Sequence, residues 1–320
     1  MADTKGMNDF LENLRELNSA GGDAGAPGGR VPKDAISSVY DGATESSVKG
    51  ELWNWGLHED DVAAEIEKLI PGFGQFDTDT FSEQMYLLTI RELPIDYAGY
   101  RTRRVLEIGS GMGEGLNFLS RIIQPERLIG LDLSKRAVDR ANSTLSRSPQ
   151  LEFVQGDAED LPFADGEFDV VLNIESSHNY PDLPQFFREV ARVLKPGGYF
   201  SQTDIFTSQR LAEFDQIKAG NPDLEWVHER DISEGVRAAI RRRMLPGSVA
   251  RQQYVEKKKH LPIGIRRLGG PGGIRLFGAD FAGYRNSAFT NLVNKALLWS
   301  AEPQPGLADG SYRHNIARRT

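Results

Sequence analysis

Short apolar runs alternate with amphipathic segments through the middle of the chain. The apolar runs predict strands near residues 103–108, 127–132, 151–155, 168–174 and 198–205. The segments between them predict helices near residues 114–123, 134–146 and 182–195. Such alternation is typical of βαβ units, in which helices cover both faces of a parallel sheet. The pattern therefore predicts an α/β protein with a doubly wound, mostly parallel sheet.

The alternation is lost towards both ends of the chain. Residues 1–34 combine a short amphipathic segment at Asn8–Leu17 with a Gly/Ala-rich stretch at Ser19–Arg30, which predicts a flexible N-terminal segment with a short helix. Residues 302–320 are polar and contain Pro and Gly, which predicts a flexible tail. We therefore expect one domain over residues 35–301.

Within that domain, the predicted strands and helices occupy about residues 95–205. Residues 206–283 interrupt the alternation with charged, helical stretches. Asn291–Ser300 is predicted as the last, antiparallel strand. Two basic runs, Arg241–Arg243 and Lys257–His260, favour solvated helix faces over a site for an anionic substrate or a membrane surface.

Glycines follow the first predicted strand at every second position. Gly109, Gly111 and Gly113 allow a sharp turn and a close approach of the backbone to a bulky ligand. Asp132 ends the next apolar run, 21 residues after Gly111, and is followed by Leu133. An acidic residue at this position accepts the hydroxyls of a ribose in doubly wound nucleotide sites. Together these residues predict a pocket for S-adenosyl-L-methionine.

A dinucleotide is the competing ligand for a glycine-rich turn. The spacing Gly-x-Gly-x-x-Gly that holds a pyrophosphate is absent, because Glu114 lies three residues after Gly111 and Leu116 lies three residues after Gly113. The sequence therefore argues against a dinucleotide.

Three motifs resemble those of class I S-adenosylmethionine-dependent methyltransferases. They are Glu107-x-Gly109-x-Gly111-x-Gly113, the stretch Gly156–Phe163 followed by Phe168–Asn173, and Arg192–Gly198. The resemblance implies a seven-stranded sheet, with residues 206–283 as a helical cap over the substrate side. It also implies that Asp157 bonds the adenine amino group and that the Ala158 N–H bonds a ring nitrogen. Glu107 would meet the amino-acid end of the cofactor, and Asn173 would join the cofactor site.

Composition limits the partners. The 320 residues carry a formal net charge of −8, which argues against nucleic acid as a substrate. The chain has no cysteine, so a disulfide framework and a Cys-based zinc site are excluded, and a reducing, cytoplasmic compartment is expected. No apolar run reaches the length of a membrane span, and the N-terminus does not resemble a signal peptide. No motif sets the oligomeric state, and a homo-oligomer is compatible with the sequence.

The candidate catalytic residues lie in the loop Asn173–Asp182, just after the fourth predicted strand. Ligands of open α/β sheets gather at that edge. His178 is a candidate base because imidazole titrates near neutral pH, although it could equally be a structural histidine. Glu175 could orient His178 or line the acceptor pocket, and Tyr180 is expected in the pocket wall. The remaining histidines have no constellation around them, so no metal site is predicted.

Aromatic residues before the first strand predict a hydrophobic wall for an acceptor, and Tyr40, Trp53 and Trp55 are the candidates. Asn54-Trp55-Gly56, the Asn173–Tyr180 loop and Gly198-Tyr199-Phe200 are similar to the phthiotriolone/phenolphthiotriolone dimycocerosate O-methyltransferases. Glu175, Ser176 and His178 also resemble an element of sugar and polyketide O-methyltransferases of antibiotic pathways. These resemblances imply methylation of a hydroxyl on an apolar small-molecule acceptor, such as a polyketide, a lipid or another secondary metabolite.

Two other readings stay open. The acceptor atom could be carbon or nitrogen, because the motifs concern the cofactor and not the acceptor. The same scaffold could also serve a cyclase that uses the sulfonium as a fixed charge, or a regulatory module that binds the cofactor without turnover.

Overall fold

One sheet of seven strands runs through the computed structural model, which describes residues 33, 37, 41, 44, 54–76, 78–145, 150–252, 278–284 and 309–320. The strands are β1 (Arg104–Ile108), β2 (Arg127–Asp132), β3 (Leu151–Gln155), β4 (Phe168–Ile174), β5 (Leu194–Phe206), β6 (Leu224–Asp231) and β7 (Ser311–Arg319). Across the sheet their order is β3, β2, β1, β4, β5, β7, β6. The first five strands pair in parallel, whereas β7 pairs antiparallel with β5 and β6. The predicted mostly parallel, seven-stranded sheet is confirmed.

The strand order reverses at β1. The chain runs outwards from β1 to β2 and β3, and then returns to β4 on the other side of β1. Connections that leave neighbouring strands in opposite directions open a crevice at the carboxyl ends of those strands. The fold therefore creates a ligand crevice between the turn after β1 and the loop after β4.

Helices cover both faces of this sheet. In the described residues they are α1 (Asp60–Leu69), α2 (Phe81–Arg91), α3 (Glu114–Leu119), α4 (Lys135–Leu145), α5 (Leu183–Val193), α6 (Ser208–Gly220) and α7 (Ser233–Arg243). The apolar sides of α5 and α6 pack on one face, and those of the other five helices pack on the opposite face. Within β1, Val105 packs on the same face as the five helices, and Leu106 and Ile108 pack on the same face as α5 and α6. This alternation is the period of two that a strand imposes on its side chains.

The prediction of a flexible tail at residues 302–320 is wrong for the described part of that range, because β7 occupies Ser311–Arg319 between β5 and β6. Tyr312, His314 and Ile316 of this strand are buried. The error arose because this strand has few apolar residues and buries polar ones, His314 and Asn315, in the middle of the sheet. The strand predicted at Asn291–Ser300 lies outside the described residues.

Residues 206–243 form part of the sheet layers, which corrects their assignment to a cap. α6 and α7 pack on opposite faces of the sheet, and β6 pairs with β7 at its edge. The edge strand β6 buries only Leu224 completely, so its sequence has no apolar run. The rest of the predicted cap includes residues 253–277, which lie outside the described residues.

In the first basic run, Arg241 and Arg242 are exposed, as a solvated helix face requires, but Arg243 is not. Its guanidinium donates to Asp79 Oδ2 at 2.6 Å, to the Asn54 carbonyl at 2.9 Å and to Ser82 Oγ at 2.9 Å. This arginine therefore ties α7 to the start of α2. Lys257–His260 and the N-terminal stretches Asn8–Leu17 and Ser19–Arg30 lie outside the described residues. Among the helices that are described, none is long and apolar enough to cross a membrane.

Candidate functional site

A cavity opens at the carboxyl edge of the sheet, between the turn after β1 and the loop after β4. The charged side chains among its described lining residues are Lys33, Glu114, Asp132, Asp157, Glu159 and Glu175. These described lining residues contribute five carboxyl groups and one ammonium group. The cavity therefore favours a ligand with positive charge.

The glycine turn after β1 forms one side of the cavity. The φ angles of Gly109, Gly111 and Gly113 are +80°, +52° and +80°, a region that costs other L-residues about 1–2 kcal/mol. A Cβ on Gly109 would lie 1.9 Å from Ser176 Oγ, and one on Gly113 would lie 2.4 Å from the Phe153 ring. Both the backbone conformation and the neighbouring side chains therefore require glycine.

Asp132 reaches the cavity from the tip of β2, and Leu133 lines the cavity beside it. Its Oδ2 accepts from the Gly111 N–H at 2.7 Å, and its Oδ1 accepts from the Ser134 N–H at 2.9 Å. Burial raises the pKa of this carboxyl, and the backbone donors act against that rise. A carboxylate has about four lone-pair sites, so Asp132 keeps acceptor capacity towards the cavity.

Asp157 and Ala158 line the cavity after β3. Asp157 Oδ1 accepts from the Glu159 N–H at 2.9 Å, and its Oδ2 lies 2.5 Å from Lys33 Nζ. The same ammonium lies 2.6 Å from Glu159 Oε2. Sequence analysis missed Lys33, because nothing local to it indicates a partner more than a hundred residues away.

Glu107 lies behind the cavity wall and is fully buried. Its Oε1 accepts from the Tyr86 hydroxyl at 2.8 Å, and its Oε2 has no hydrogen-bond partner. Burial raises the pKa of Glu107 to about 8. Tyr86, which sequence analysis did not single out, lines the cavity where Glu107 was expected.

Asn173 was predicted to bind the cofactor, but it is fully buried and is not among the residues that line the cavity. Its amide donates to the Ile108 carbonyl at 2.9 Å and to Tyr180 Oη at 3.1 Å. Asn173 therefore joins the end of β1 to the loop after β4, and acts on the cavity through these neighbours.

Glu175 lines the cavity from the loop after β4. Its φ of +48° is unusual for a residue with a side chain, and such strain clusters at functional sites. Oε1 accepts from the Trp55 N–H at 2.6 Å, and the nearby Tyr312 hydroxyl acts to lower the pKa of the carboxyl. Burial raises the pKa of Glu175 to about 7 despite these donors.

His178 follows in a short 3-10 turn, Ser177–Asn179. Its Nδ1 lies 2.7 Å from Oδ1 of the buried Asp204, near the end of β5, and its Nε2 lies 3.0 Å from the Asn179 amide. Asp204 also accepts from the His178 N–H at 2.9 Å. Burial acts to lower the pKa of His178, but the Asp204 carboxylate outweighs it, so this pKa is raised. His178 is not among the cavity-lining residues, although its neighbour Asn179 is.

The aromatic candidates divide into two groups. Tyr180 lines the cavity, and its hydroxyl lies 2.7 Å from Ser176 Oγ. The Trp55 ring instead packs against Phe281 and Tyr312 in the core, so Trp55 is not a wall of this cavity. Tyr40 and Trp53 lie outside the described residues.

Three of the other histidines have acidic neighbours, contrary to expectation, and the first is His58, whose Nε2 lies 3.7 Å from Asp60 Oδ1. His228 Nε2 lies 3.0 Å from Glu92 Oε2, and the buried His314 Nε2 lies 3.5 Å from the same atom. Burial lowers the pKa of His314 to about 3. Among the described residues, no group of three or more His, Cys, Asp or Glu side chains could hold a metal ion.

Comparison with known proteins identifies the family. A family model described as a methyltransferase domain matches residues 106–201. The fatty-acid O-methyltransferase of Mycolicibacterium smegmatis (strain ATCC 700084 / mc(2)155) is 36% identical over 206 residues, which are 64% of this chain and 71% of that protein. The chain belongs to the methyltransferase family.

Other relatives of the chain carry lipid-related names. "Probable phthiotriol/phenolphthiotriol dimycocerosates methyltransferase 2" of Mycobacterium ulcerans (strain Agy99) is 42% identical over 167 residues, 52% of this chain and 62% of the relative. The phthiotriol/phenolphthiotriol dimycocerosates methyltransferase of Mycobacterium leprae (strain TN) is 37% identical and is matched over 59% of its length. The chain thus spans about three fifths of these two relatives.

Solved structures share the fold. The cyclase SpnF matches the chain with a TM-score of 0.56 and 19% identity, over 90% of this chain and 96% of SpnF. Geranyl diphosphate C-methyltransferase from Streptomyces coelicolor A3(2) matches with a TM-score of 0.54 and 16% identity, over 90% of this chain and 98% of that chain. At these identities the likeness concerns the fold alone.

The cavity fits S-adenosyl-L-methionine, the cofactor of the family. The ligand carries a net positive charge, an adenosine with two free ribose hydroxyls, and an amino-acid end. The five carboxyl groups suit the charge, Asp132 keeps free lone pairs at the tip of β2, and the unpartnered Glu107 Oε2 lies beside the β1 turn.

Proposed function

We propose that this methyltransferase transfers a methyl group from S-adenosyl-L-methionine to a hydroxyl oxygen of an apolar lipid- or polyketide-like molecule, with His178 as the base. The names of the relatives support the acceptor class. The observation that carries the proposal is the pairing of His178 with the buried Asp204, one residue from the cavity wall at Asn179.

The cofactor is held by residues along the carboxyl ends of β1, β2 and β3. Asp132 accepts the ribose hydroxyls beside Leu133, while Asp157 and the Ala158 N–H take the adenine. Gly109, Gly111 and Gly113 let the backbone approach, and Glu107 serves the amino-acid end. When bound, the cofactor supplies an electrophilic methyl group on a sulfonium sulfur.

His178 removes the proton from the acceptor. The Nδ1–H donates to Asp204, which leaves Nε2 as the basic nitrogen, and the Asn179 amide occupies that nitrogen at 3.0 Å until the acceptor hydroxyl replaces it. Nε2 takes the hydroxyl proton as the oxygen–carbon bond forms and the carbon–sulfur bond breaks. A positioned base of this kind contributes about 10²–10⁴ in rate. Asp204 stabilises the resulting imidazolium.

Glu175 and Tyr180 shape the space in which the acceptor meets the methyl group, because both line the cavity next to this loop. Burial keeps much of the Glu175 carboxyl protonated near neutral pH, so that it can donate to the acceptor.

A carboxylate is the second candidate acceptor. The fatty-acid O-methyltransferase relative favours it, and so does the Arg210 guanidinium, which donates to the His178 carbonyl at 3.0 Å and adds positive charge near the loop. A carboxylate needs no base, because it is already ionised at neutral pH.

The test offers the protein and S-adenosyl-L-methionine a long-chain secondary alcohol and a fatty acid of the same length, with products read by mass spectrometry. We expect the alcohol to become heavier by one methylene, and His178→Ala to lower that rate by about 10²-fold or more. His228→Ala, outside the cavity, is the control. Methylation of the fatty acid alone, unaffected by His178→Ala, would favour the carboxylate. A rearranged product of unchanged mass would favour a cyclase, and cofactor binding without any product a regulatory module.

A further inference from the structure

The Tyr86 side chain enters the cavity from α2, on the side of β1. Its hydroxyl donates to Glu107 Oε1 at 2.8 Å. A Cβ on Gly115, at the start of α3, would lie 1.8 Å from the Tyr86 ring, so the chain leaves room there for the tyrosine. The hydroxyl is therefore held in one place at the cavity wall.

The sheet order gives the position of this hydroxyl relative to the adenosine. Asp157 lies after β3 and Asp132 at the tip of β2, whereas Tyr86 and Glu107 are associated with β1. The strands lie in the order β3, β2, β1. A ligand with its adenine at β3 and its ribose at β2 therefore extends towards Tyr86 with its amino-acid end.

The pair offers acceptors to a cation. Glu107 Oε2 is buried without a partner, and a buried carboxyl oxygen without a donor is unfavourable. Tyr86 donates its only hydrogen to Glu107, so the lone pairs of its oxygen remain available to a ligand. Burial and the neighbouring Glu107 raise the pKa of Tyr86, which keeps the hydroxyl protonated. An ammonium group supplies three donors and a positive charge, which this arrangement lacks.

We propose that the Tyr86 hydroxyl binds the ammonium group of the cofactor, with Glu107 as the residue that positions the hydroxyl and balances the charge. This subsite rests on the proposed function, because it assumes that the cavity holds S-adenosyl-L-methionine or its product. It adds to the cofactor site a residue from α2, outside the glycine motif.

The experiment is calorimetric titration with two ligands that differ only in the amino-acid end. S-adenosylhomocysteine carries the ammonium group, and 5′-methylthioadenosine keeps the adenosine and the sulfur but lacks the amino acid. We expect Tyr86→Phe to weaken binding of S-adenosylhomocysteine about tenfold, as for a lost hydrogen bond to a charged group, and to leave 5′-methylthioadenosine unchanged.

Tyr97→Phe is the matched control. The Tyr97 hydroxyl also donates to a glutamate, Glu65 Oε1, at 2.7 Å, but neither residue lines the cavity. This variant should bind both ligands as the unsubstituted protein does.

Two results would overturn the subsite: Tyr86→Phe binding S-adenosylhomocysteine with unchanged affinity, or losing both ligands equally. If Tyr86→Phe fails to fold, Glu107→Gln takes its place with the same expectation and the same contrary results. Failure of the unsubstituted protein to bind S-adenosylhomocysteine would instead refute the proposed function itself.

Discussion

His178 depends on a residue that is distant from it along the chain. Asp204 lies 26 residues later, near the end of β5, the strand next to β4. Because parallel strands bring their carboxyl ends to one edge, polar residues that follow or end neighbouring strands meet there. Sequence analysis applied this rule to the loop after β4 but not to Asp204, which lies inside the run of β5 and carries no local sign of its partner.

Asp204 should set the pH at which the proposed base works. Only neutral His178 can accept a proton, and Asp204 raises the pKa of His178 against the effect of burial. We therefore expect kcat/KM to rise with pH through a pKa above the ordinary histidine value. In Asp204→Asn that pKa should fall, shifting the profile to lower pH, and the maximal rate should fall about tenfold or more because the imidazolium loses its partner.

Rates measured from pH 5 to pH 9 check this expectation. Asp139→Asn, which removes an exposed carboxylate paired with Lys135, is the control for the loss of one charge. A profile that keeps its position in Asp204→Asn would show that His178 does not act as the base.

The assignments of Asn173 and Trp55 show where a motif stops being informative. Both lie next to residues that line the cavity, but the Asn173 side chain bonds the end of β1 and the Trp55 ring packs in the core. Tyr86 and Lys33 show the converse, because each reaches the cavity from an element that no motif covers. A motif identifies the loop that reaches the cavity, but packing decides which side chains of that loop face the ligand.

At the scale of elements, the effect of the close packing around the glycine turn after β1 can be measured separately from the effect of its left-handed backbone. In Gly109→Ala the Cβ would lie 1.9 Å from Ser176 Oγ, whereas Gly247, with a φ of +83°, has no atom within 4 Å of such a Cβ. Both substitutions carry the cost of a left-handed residue, about 1–2 kcal/mol. Gly109→Ala should lower the free energy of unfolding by about 1–3 kcal/mol more than Gly247→Ala, and should also weaken S-adenosylhomocysteine binding.

Denaturant unfolding and calorimetry of the two variants measure both quantities. Equal losses of stability, with equal cofactor affinity, would mean that the turn is free to move away from Ser176, and that its close packing is not needed by the site.

The strands β1 to β5 were predicted within a few residues because each carries its own apolar run. β6 and β7 were not, because their burial is supplied by neighbours: β7 is covered on both edges by β5 and β6, and β6 closes the sheet with one side exposed. A strand that contains only a few apolar residues among charged and polar ones looks like a polar segment until its partners are known.

At the scale of the whole molecule, buried carboxyl groups lie both in the cavity wall and behind it, at the centre of the sheet edge. Burial raises the pKa of Glu107 to about 8 and that of Glu175 to about 7. Such groups are unfavourable in the ligand-free protein when ionised, and a cationic ligand relieves part of that cost. Ionising these buried carboxyl groups therefore costs free energy in the ligand-free protein, and bound S-adenosyl-L-methionine reduces that cost.

The cost of ionising the buried Glu107 predicts a pH dependence of stability in the ligand-free protein. Between the ordinary glutamate pKa of 4.5 and about 8, folded Glu107 holds a proton that the unfolded chain has released. Since the folded state binds more protons, its contribution to stability is present below pH 4.5 and is lost as pH rises towards 8, with a slope of about 1.4 kcal/mol per pH unit. Glu107→Gln removes this titration, so its free energy of unfolding should fall less steeply between pH 5 and pH 8. Glu126→Gln, an exposed partner of Arg104, should keep the original slope. Parallel slopes for Glu107→Gln and the unsubstituted protein, in urea titrations across this range, would mean that Glu107 is already ionised in the folded state and is balanced by a charge that the ligand does not supply.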